Sequence, residues 1–90
     1  MAFAESKLES PCEELGPESA AEDLYRMGLV YSTGLGVPVD YVMAHKWFNL
    51  AALRGYSDAK QSRKELSDYM SSDEIATAQK AAREWLSLAN

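Results

Sequence analysis

Cysteine and histidine are scarce in this sequence, and their scarcity limits the chemistry open to it. The 90 residues include one cysteine, Cys12, and one histidine, His45. A disulfide within the chain and a four-thiolate zinc site are therefore excluded. Long hydrophobic runs are also missing, and the N-terminus has no basic start followed by an apolar stretch. These absences favour a cytoplasmic protein with no membrane span.

Positive charge is in short supply and unevenly placed. Nine Lys and Arg stand against 14 Asp and Glu, which gives a net charge of −5. The first 23 residues hold seven of the acids against Lys7 alone, whereas the remainder is close to neutral. An acidic chain without a basic stripe repels phosphate backbones and anionic lipids. Neither nucleic acid nor a membrane surface is expected as a partner.

The length and the 47% hydrophobic content indicate one small domain with a thin core. Residues 1–16 are acidic and poor in large apolar side chains, which is typical of a flexible leader. One helical turn is still expected there, because Ser10, Pro11 and Glu13 have the spacing of a capping box. Residues 17–90 are expected to form the folded domain.

Apolar residues spaced at helical intervals predict four helices in this domain. No alternating strand pattern lies between them, so the fold is expected to be all-α, with antiparallel helix pairs. The third helix has the weakest apolar stripe, and the fourth is expected to cover the third helix and the back of the second. The predicted helices run from Pro17 to Thr33, from the cap Asp40 to Arg54, from Ser57 or Asp58, and from the Ser71–Glu74 capping box onward.

The glycines of "TGLGVP" allow two interpretations. A phosphate-binding loop needs a strand before the glycines, a third glycine and a lysine, and none of these is present. A structural hinge explains the stretch better. Gly34 is expected to end a helix in the left-handed conformation, and Gly36 is expected to let two helix backbones cross closely. Asp40 is then expected to cap the second helix.

Taken together, the residues from Leu24 to Gly55 resemble the Sel-one-like repeat family, a branch of the tetratricopeptide-type helical repeats. The family pattern, roughly A-x-x-x-L-G-x-x-Y-x-x-G-x-G-V-x-x-D-x-x-x-A-x-x-W-x-x-x-A-A-x-x-G, is matched at nearly every position. Asp23 replaces the first alanine and Met27 replaces the leucine. The motif positions in this chain are Met27, Gly28, Tyr31, Gly34, Gly36, Val37, Asp40, Ala44, Trp47, Ala51, Ala52 and Gly55.

The resemblance implies a solenoid-like α/α helical repeat of about four antiparallel helices. One full repeat would occupy residues 20–55, and a degenerate half-repeat with a C-terminal cap, similar to that of bacterial members, would occupy residues 57–90. It also implies a non-enzymatic adaptor or scaffold that binds a peptide or a partner helix, without cofactor or metal. A self-associating structural subunit, such as a homodimer, remains an alternative. A less favoured alternative is a small-ligand-binding or enzymatic protein with a pocket near His45.

Several polar residues invite a catalytic or metal-binding interpretation. His45 is expected at the solvent edge of the buried stripe, with no second ligand or nucleophile one turn away. Cys12 lies among acids that raise the pKa of a thiol, so an inert thiol is expected. The carboxylate pairs Glu13–Glu14 and Asp73–Glu74 flank helix starts, where caps are favoured over acid–base chemistry.

Two further groups are ambiguous between structure and binding. Trp47 and Phe48 lie on the inward stripe of the second helix, where core packing is favoured over a ligand-binding wall. Lys60, Arg63 and Lys64 cover one side of the third helix. A solvated face is favoured for these bases over a docking surface for an acidic segment, such as the leader.

Tyr25 and Leu29 are the predicted protein-binding residues. They lie about 100–140° from Leu24 around the first helix, on a flank that a preceding repeat would cover in a longer solenoid. No preceding repeat is visible in the sequence, so another molecule is expected to cover them. The apolar residues Phe3, Leu8 and Leu15 of the leader are a weaker intramolecular substitute.

Overall fold

The structure is a computed structural model that describes residues 15–16 and 19–88. Within these residues the chain forms four helices and no strand, which confirms the predicted all-α fold. The first helix begins four residues later than predicted, because Ala20 is still extended (φ −68°, ψ 151°). The helices are α1 (Ala21–Thr33), α2 (Tyr41–Leu53), α3 (Ser57–Ser67) and α4 (Ser72–Leu88).

The connection between α1 and α2 follows the predicted glycine and capping chemistry. Gly34 has a φ of 75°, and its N–H donates to the Val30 carbonyl oxygen at 2.9 Å, which ends α1. The Asp40 N–H donates to the Tyr31 carbonyl oxygen at 2.9 Å, so the loop folds back onto α1. The Asp40 carboxylate accepts the Met43 N–H at 3.0 Å. The left-handed Gly34 and the Asp40 cap are both confirmed.

The close approach between α1 and α2 lies at Gly28, not at Gly36 as predicted. Gly36 does have a positive φ of 82°, but a Cβ added there would meet nothing within 4 Å. A Cβ on Gly28 would collide with the ring of Phe48 on α2. Gly36 is therefore needed for its backbone conformation, and Gly28 is needed for the packing of the two helices.

Helix α2 is the centre of the molecule, since it packs against α1, α3 and α4. It is capped by Asp40 and contributes more core side chains than any other helix of the described chain. Two large apolar side chains at its ends, Tyr41 and Leu53, are exposed. The buried hydrophobic residues of α2 are Ala44, Trp47, Phe48, Leu50 and Ala51.

Helix α4 covers the back of α2 but does not pack extensively against α3, contrary to prediction. Its start is the predicted capping box, in which Ser71 N–H donates to Glu74 Oε1 at 2.8 Å and Glu74 N–H donates to Ser71 Oγ at 3.1 Å. The Trp85 and Trp47 rings form a T-shaped pair with their centroids 5.6 Å apart. Helix α3 is mostly polar and buries only Ala59 and Leu66, so it offers little apolar surface against which α4 could pack.

The segment before α1 is described in part. Leu15 is half-buried against the core, and the Gly16 N–H donates to Ser19 Oγ at 2.9 Å. Arg54, at the end of α2, donates to the Ser19 carbonyl oxygen. The helical turn predicted at residues 10–13 and the leader residues Phe3 and Leu8 lie outside the described residues.

Candidate protein-binding groove

An open groove of about 260 Å³ lies between α1, α2 and α3. Its floor is formed by the buried side chains of Phe48 and Leu66. Three large side chains remain exposed at its rim, where Leu29 is 39%, Tyr41 38% and Tyr69 77% accessible. An apolar floor under an exposed aromatic rim is typical of a surface that binds another molecule. Ser32, Ser62 and Glu65 complete the lining.

Helical periodicity brings these side chains to one place. On α3, Ser62 and Glu65 have the i, i+3 spacing, and Tyr69 follows in the turn after this helix. Leu29 and Ser32 have the i, i+3 spacing on α1, which places them opposite that face. The sequence pattern did not single out Tyr41, Glu65 or Tyr69 for binding. The signal that could have found the groove is a tyrosine, Tyr69, that follows the polar third helix and is exposed.

Tyr25 does not lie on an uncovered flank as expected, because it is half-buried against the protein's own helices; its role in partner binding stays a prediction. Its hydroxyl lies 3.2 Å from Ser62 Oγ, and its ring lies 5.4 Å from Phe48 and 4.8 Å from Tyr56. From the sequence, a preceding repeat is expected to cover this flank of α1. In the structure α3, the helix that follows α2, covers it at Tyr25. Tyr25 therefore joins α1 to α3 beside the groove.

Leu29 lies one helical turn beyond Tyr25 and remains partly exposed in the groove. The structure thus separates the two predicted binding residues. Tyr25 contacts the protein's own α2 and α3, whereas Leu29 presents apolar surface to solvent. Leu29 stays a prediction for partner binding, together with the groove residues around it.

Glu65 is the one charged side chain among the residues that line the groove. It is exposed and accepts a hydrogen bond from Gln61 Nε2 at 2.9 Å. The hydroxyl of Ser32 donates to the Leu29 carbonyl oxygen at 3.2 Å, within its own helix. The groove therefore combines an apolar floor with a carboxylate at its edge.

His45 is buried in the core rather than at the solvent edge, so that prediction is wrong. Its side chain is 2% exposed, and its Nε2 lies 3.1 Å from Ser67 Oγ. Ser67 Oγ donates to the Arg63 carbonyl oxygen at 2.8 Å, so the Nε2–H of His45 donates to the serine oxygen. The angular position of His45 on α2 is at the edge of the buried stripe, but α3 packs over that edge and buries the side chain.

The electrostatics of His45 fit a neutral ring. Burial, and secondarily the Arg63 cation, lower the pKa of His45 below its ordinary value of 6.5. Its Nδ1 has no hydrogen-bond partner among the described residues. The Ser67 hydroxyl donates its proton to a backbone carbonyl rather than to His45. The His45–Ser67 pair is therefore arranged as a structural contact between α2 and α3, not as a base with its nucleophile. His45 does not line the groove.

The aromatic pair of α2 divides between core and groove. Trp47 is fully buried and Phe48 is 2% exposed, which agrees with core packing. Phe48 also forms the floor of the groove, so this residue belongs both to the core and to the candidate binding site. The Trp47 Nε1–H has no partner within the described part of the chain. Lys46 lies over the Trp47 ring at 4.6 Å from its centroid.

The basic residues of α3 do not form one uniform surface. Arg63 is half-buried and donates to Asn49 Oδ1 at 2.5 Å, which ties α3 to α2. Lys60 and Lys64 are exposed. The solvated-face interpretation thus describes the two lysines, whereas the arginine has a packing role.

The remaining candidates are structural or lie outside the description. Glu74 is a reciprocal helix cap, as predicted. Cys12 and the Glu13–Glu14 pair are outside the described residues. Across residues 15–16 and 19–88, no group of three His, Cys, Asp or Glu is placed to hold a metal ion. None of the helices in these ranges is both long and apolar enough to cross a bilayer.

Consecutive helices packed around α2, with a groove along one side, define an α/α helical-repeat protein. Within this class, the family model of the Sel1 repeat matches residues 21–56, which include α1 and α2. Residues 21–56 therefore form a Sel1-like repeat. Sel1 repeats are in general non-enzymatic protein–protein interaction modules. Searches of curated proteins and of solved structures found no match.

Proposed function

We propose that this protein is a small non-enzymatic adaptor that binds a segment of a partner protein in the groove between α1, α2 and α3. The observation that carries the proposal is the apolar floor of Phe48 and Leu66 under the exposed rim of Leu29, Tyr41 and Tyr69. Aromatic residues at the centre of an interface contribute a large share of binding energy at a low cost in side-chain entropy.

The groove suits a peptide or a single helix better than a broad protein surface. Its volume of about 260 Å³ has room for a few side chains, and two of its walls are faces of α1 and α3. Peptide and helix recognition both use such a groove, with one or two anchoring side chains inserted into it. Tyr25, on α1, contacts α3 as well, which fixes the spacing of these walls before any partner binds.

The experiment compares wild-type protein with Leu29→Glu as baits in a quantitative pull-down from the native host lysate. A carboxylate at Leu29 places charge on the apolar rim, so we expect captured partners to fall at least tenfold, since hot-spot losses are about 2 kcal/mol or more. Leu88→Glu is the matched control, because Leu88 is 86% exposed on α4, away from the groove.

Thermal melts and light scattering complete the test. The two variants should keep melting temperatures close to wild type, which shows that lost capture is not lost folding. If Leu29→Glu retains every partner that the wild type captures, the groove is not the binding site. The alternative of a self-associating subunit predicts a dimer mass for wild type and a monomer mass for Leu29→Glu.

A further inference from the structure

Acidic side chains predominate beside the groove. Glu65 lines the groove on α3, and Asp58 lies seven residues before it, two helical turns along the same face. Both side chains are exposed. On α1, Glu22 has the same seven-residue relation to Leu29 and is also exposed. The two walls of the groove therefore carry carboxylates along their outer edges.

The nearby cations either face away from these edges or are paired with another side chain. Lys60 and Lys64 lie roughly 160° around α3 from Ser62, at 100° per residue, so they face away from the groove. The guanidinium of Arg63 is engaged with Asn49. On α1, Arg26 is paired with Asp23 at 3.1 Å. Among the residues that line the groove, none is a Lys or Arg.

We infer that the occupant of the groove is a partner segment in which a Lys or Arg lies close to an aromatic or aliphatic anchor. The anchor contacts the Phe48 floor, and the cation pairs with Glu65 at the edge. This inference rests on the proposed function and adds the chemical class of the ligand. Complementary charge selects among partners and speeds their association more than it raises affinity.

The same charges disfavour two other occupants. Residues 1–14 of this chain contain Glu5, Glu9, Glu13 and Glu14 against Lys7, so that segment would bring net negative charge to an acidic edge. A second copy of the chain also has a net charge of −5, so the net charges of the two copies oppose their association. A basic segment from another protein removes this repulsion.

The test selects ligands directly and needs no identified partner. A displayed library of random peptides is captured on the full chain, and the enriched peptides are synthesised for affinity measurement by fluorescence anisotropy. We expect enrichment of Lys or Arg beside aromatic or aliphatic residues. Glu65→Lys should weaken these peptides about five- to tenfold, since an exposed pair of opposite charge is replaced by a repulsive one.

Glu84→Lys provides the matched control, because it makes the same charge change at an exposed position of α4 outside the groove. It should leave the dissociation constant within about twofold of wild type. A fresh selection on Glu65→Lys should lose the basic enrichment, and a fresh selection on Glu84→Lys should keep it. Raising the salt concentration should weaken the basic peptides on wild type and not on Glu65→Lys.

The outcomes separate this inference from the proposed function. If the selected peptides lose binding in Leu29→Glu but show no basic enrichment and tolerate Glu65→Lys, the ligand class is wrong while the groove function stands. If the chain captures no peptide, or if Leu29→Glu binds as well as wild type, the groove function itself fails. If a synthetic peptide of residues 1–14 displaces the selected peptides at lower concentrations than they displace one another, the chain's own segment is the occupant. A dimer mass that Leu29→Glu converts to a monomer mass identifies a second copy instead.

Discussion

At the residue scale, His45 shows how one buried polar side chain links α2 and α3. Its Nε2–H donates to Ser67 Oγ, and Ser67 in turn donates to the Arg63 carbonyl oxygen. The guanidinium of Arg63 donates to Asn49 on α2. These bonds join the two helices on the side of α3 that lies away from the groove. A proton added to His45 would place a second cation near Arg63 inside the core.

We therefore predict that the free energy of unfolding falls as the pH drops below 6.5. The folded pKa of His45 is lowered relative to 6.5, so the unfolded state binds the proton more readily. The contribution of His45 is complete above pH 6.5 and is lost progressively as the pH falls from there toward the lowered folded value. With one group, the slope cannot exceed about 1.4 kcal/mol per pH unit.

Urea unfolding at several pH values between 8 and 5 measures this slope, and His45→Gln is the comparison. The amide of glutamine can donate to Ser67 but does not titrate. Because His45 is the sole histidine of the chain, the variant should show a nearly flat profile over this range. Equal slopes in wild type and His45→Gln would contradict the assignment.

At the element scale, the pairing of α1 with α2 depends on a glycine inside a helix. Gly28 is buried in the middle of α1, and the Phe48 ring occupies the space that a Cβ would need. Glycine in a helix interior normally weakens the helix by about 1 kcal/mol relative to alanine. Here the close contact outweighs that cost, because Phe48 is both part of the core and the floor of the groove.

Gly28→Ala should therefore destabilise the protein by about 1–3 kcal/mol, against the direction that helix propensity alone predicts. Displacing the Phe48 ring should also weaken binding of any groove ligand. Gly36→Asn is the comparison, since Gly36 has open space around it and asparagine tolerates a positive φ. Its cost should stay below about 1 kcal/mol. Urea unfolding checks both values, and a Gly28→Ala protein at least as stable as wild type would falsify the close-contact assignment.

The helices could be predicted from the sequence because the signals that start and end them are local. Gly34, Asp40 and the Ser71–Glu74 box each act on backbone groups within a few residues. The surroundings of Tyr25 and His45 could not be predicted in the same way. A helical wheel gives the angle of a side chain around its own helix, but it does not say which other helix packs there. Both residues are covered by α3. The groove was likewise missed, because its walls come from α1 and α3, about 30 residues apart in sequence.

At the scale of the whole molecule, α2 is enclosed by helices on both sides, and α4 provides the cover at its back. Ala78 and Ala82 are buried at this contact, and the Trp85 ring forms a T-shaped pair with the fully buried Trp47 ring. Small side chains at these two positions let α4 approach α2 closely. The groove lies on the other contact surface of α2, and α4 contributes none of its lining residues.

Trp85→Ala should destabilise the protein by about 2 kcal/mol, less than for a fully buried tryptophan because Trp85 is half-buried. Leu88→Ala on the same helix is the control and should change the free energy of unfolding by no more than about 0.5 kcal/mol, because Leu88 is largely exposed. Urea unfolding measures both. Equal stability of the two variants would show that α4 does not depend on the indole contact.

The contact between Trp47 and Trp85 also gives the protein an optical reporter that needs no label. The indole signal of this pair can be recorded separately from the phenol signal of the tyrosines. Both tryptophans of the chain lie at the contact of α2 with α4, whereas the exposed aromatic residues of the groove, Tyr41 and Tyr69, are tyrosines. Near-ultraviolet circular dichroism depends on fixed side-chain packing. The indole bands therefore follow the docking of α4, and the phenol bands include the response of the groove to a ligand. Titrating a peptide while both bands are recorded distinguishes a ligand that fills the groove from one that loosens the helix behind it.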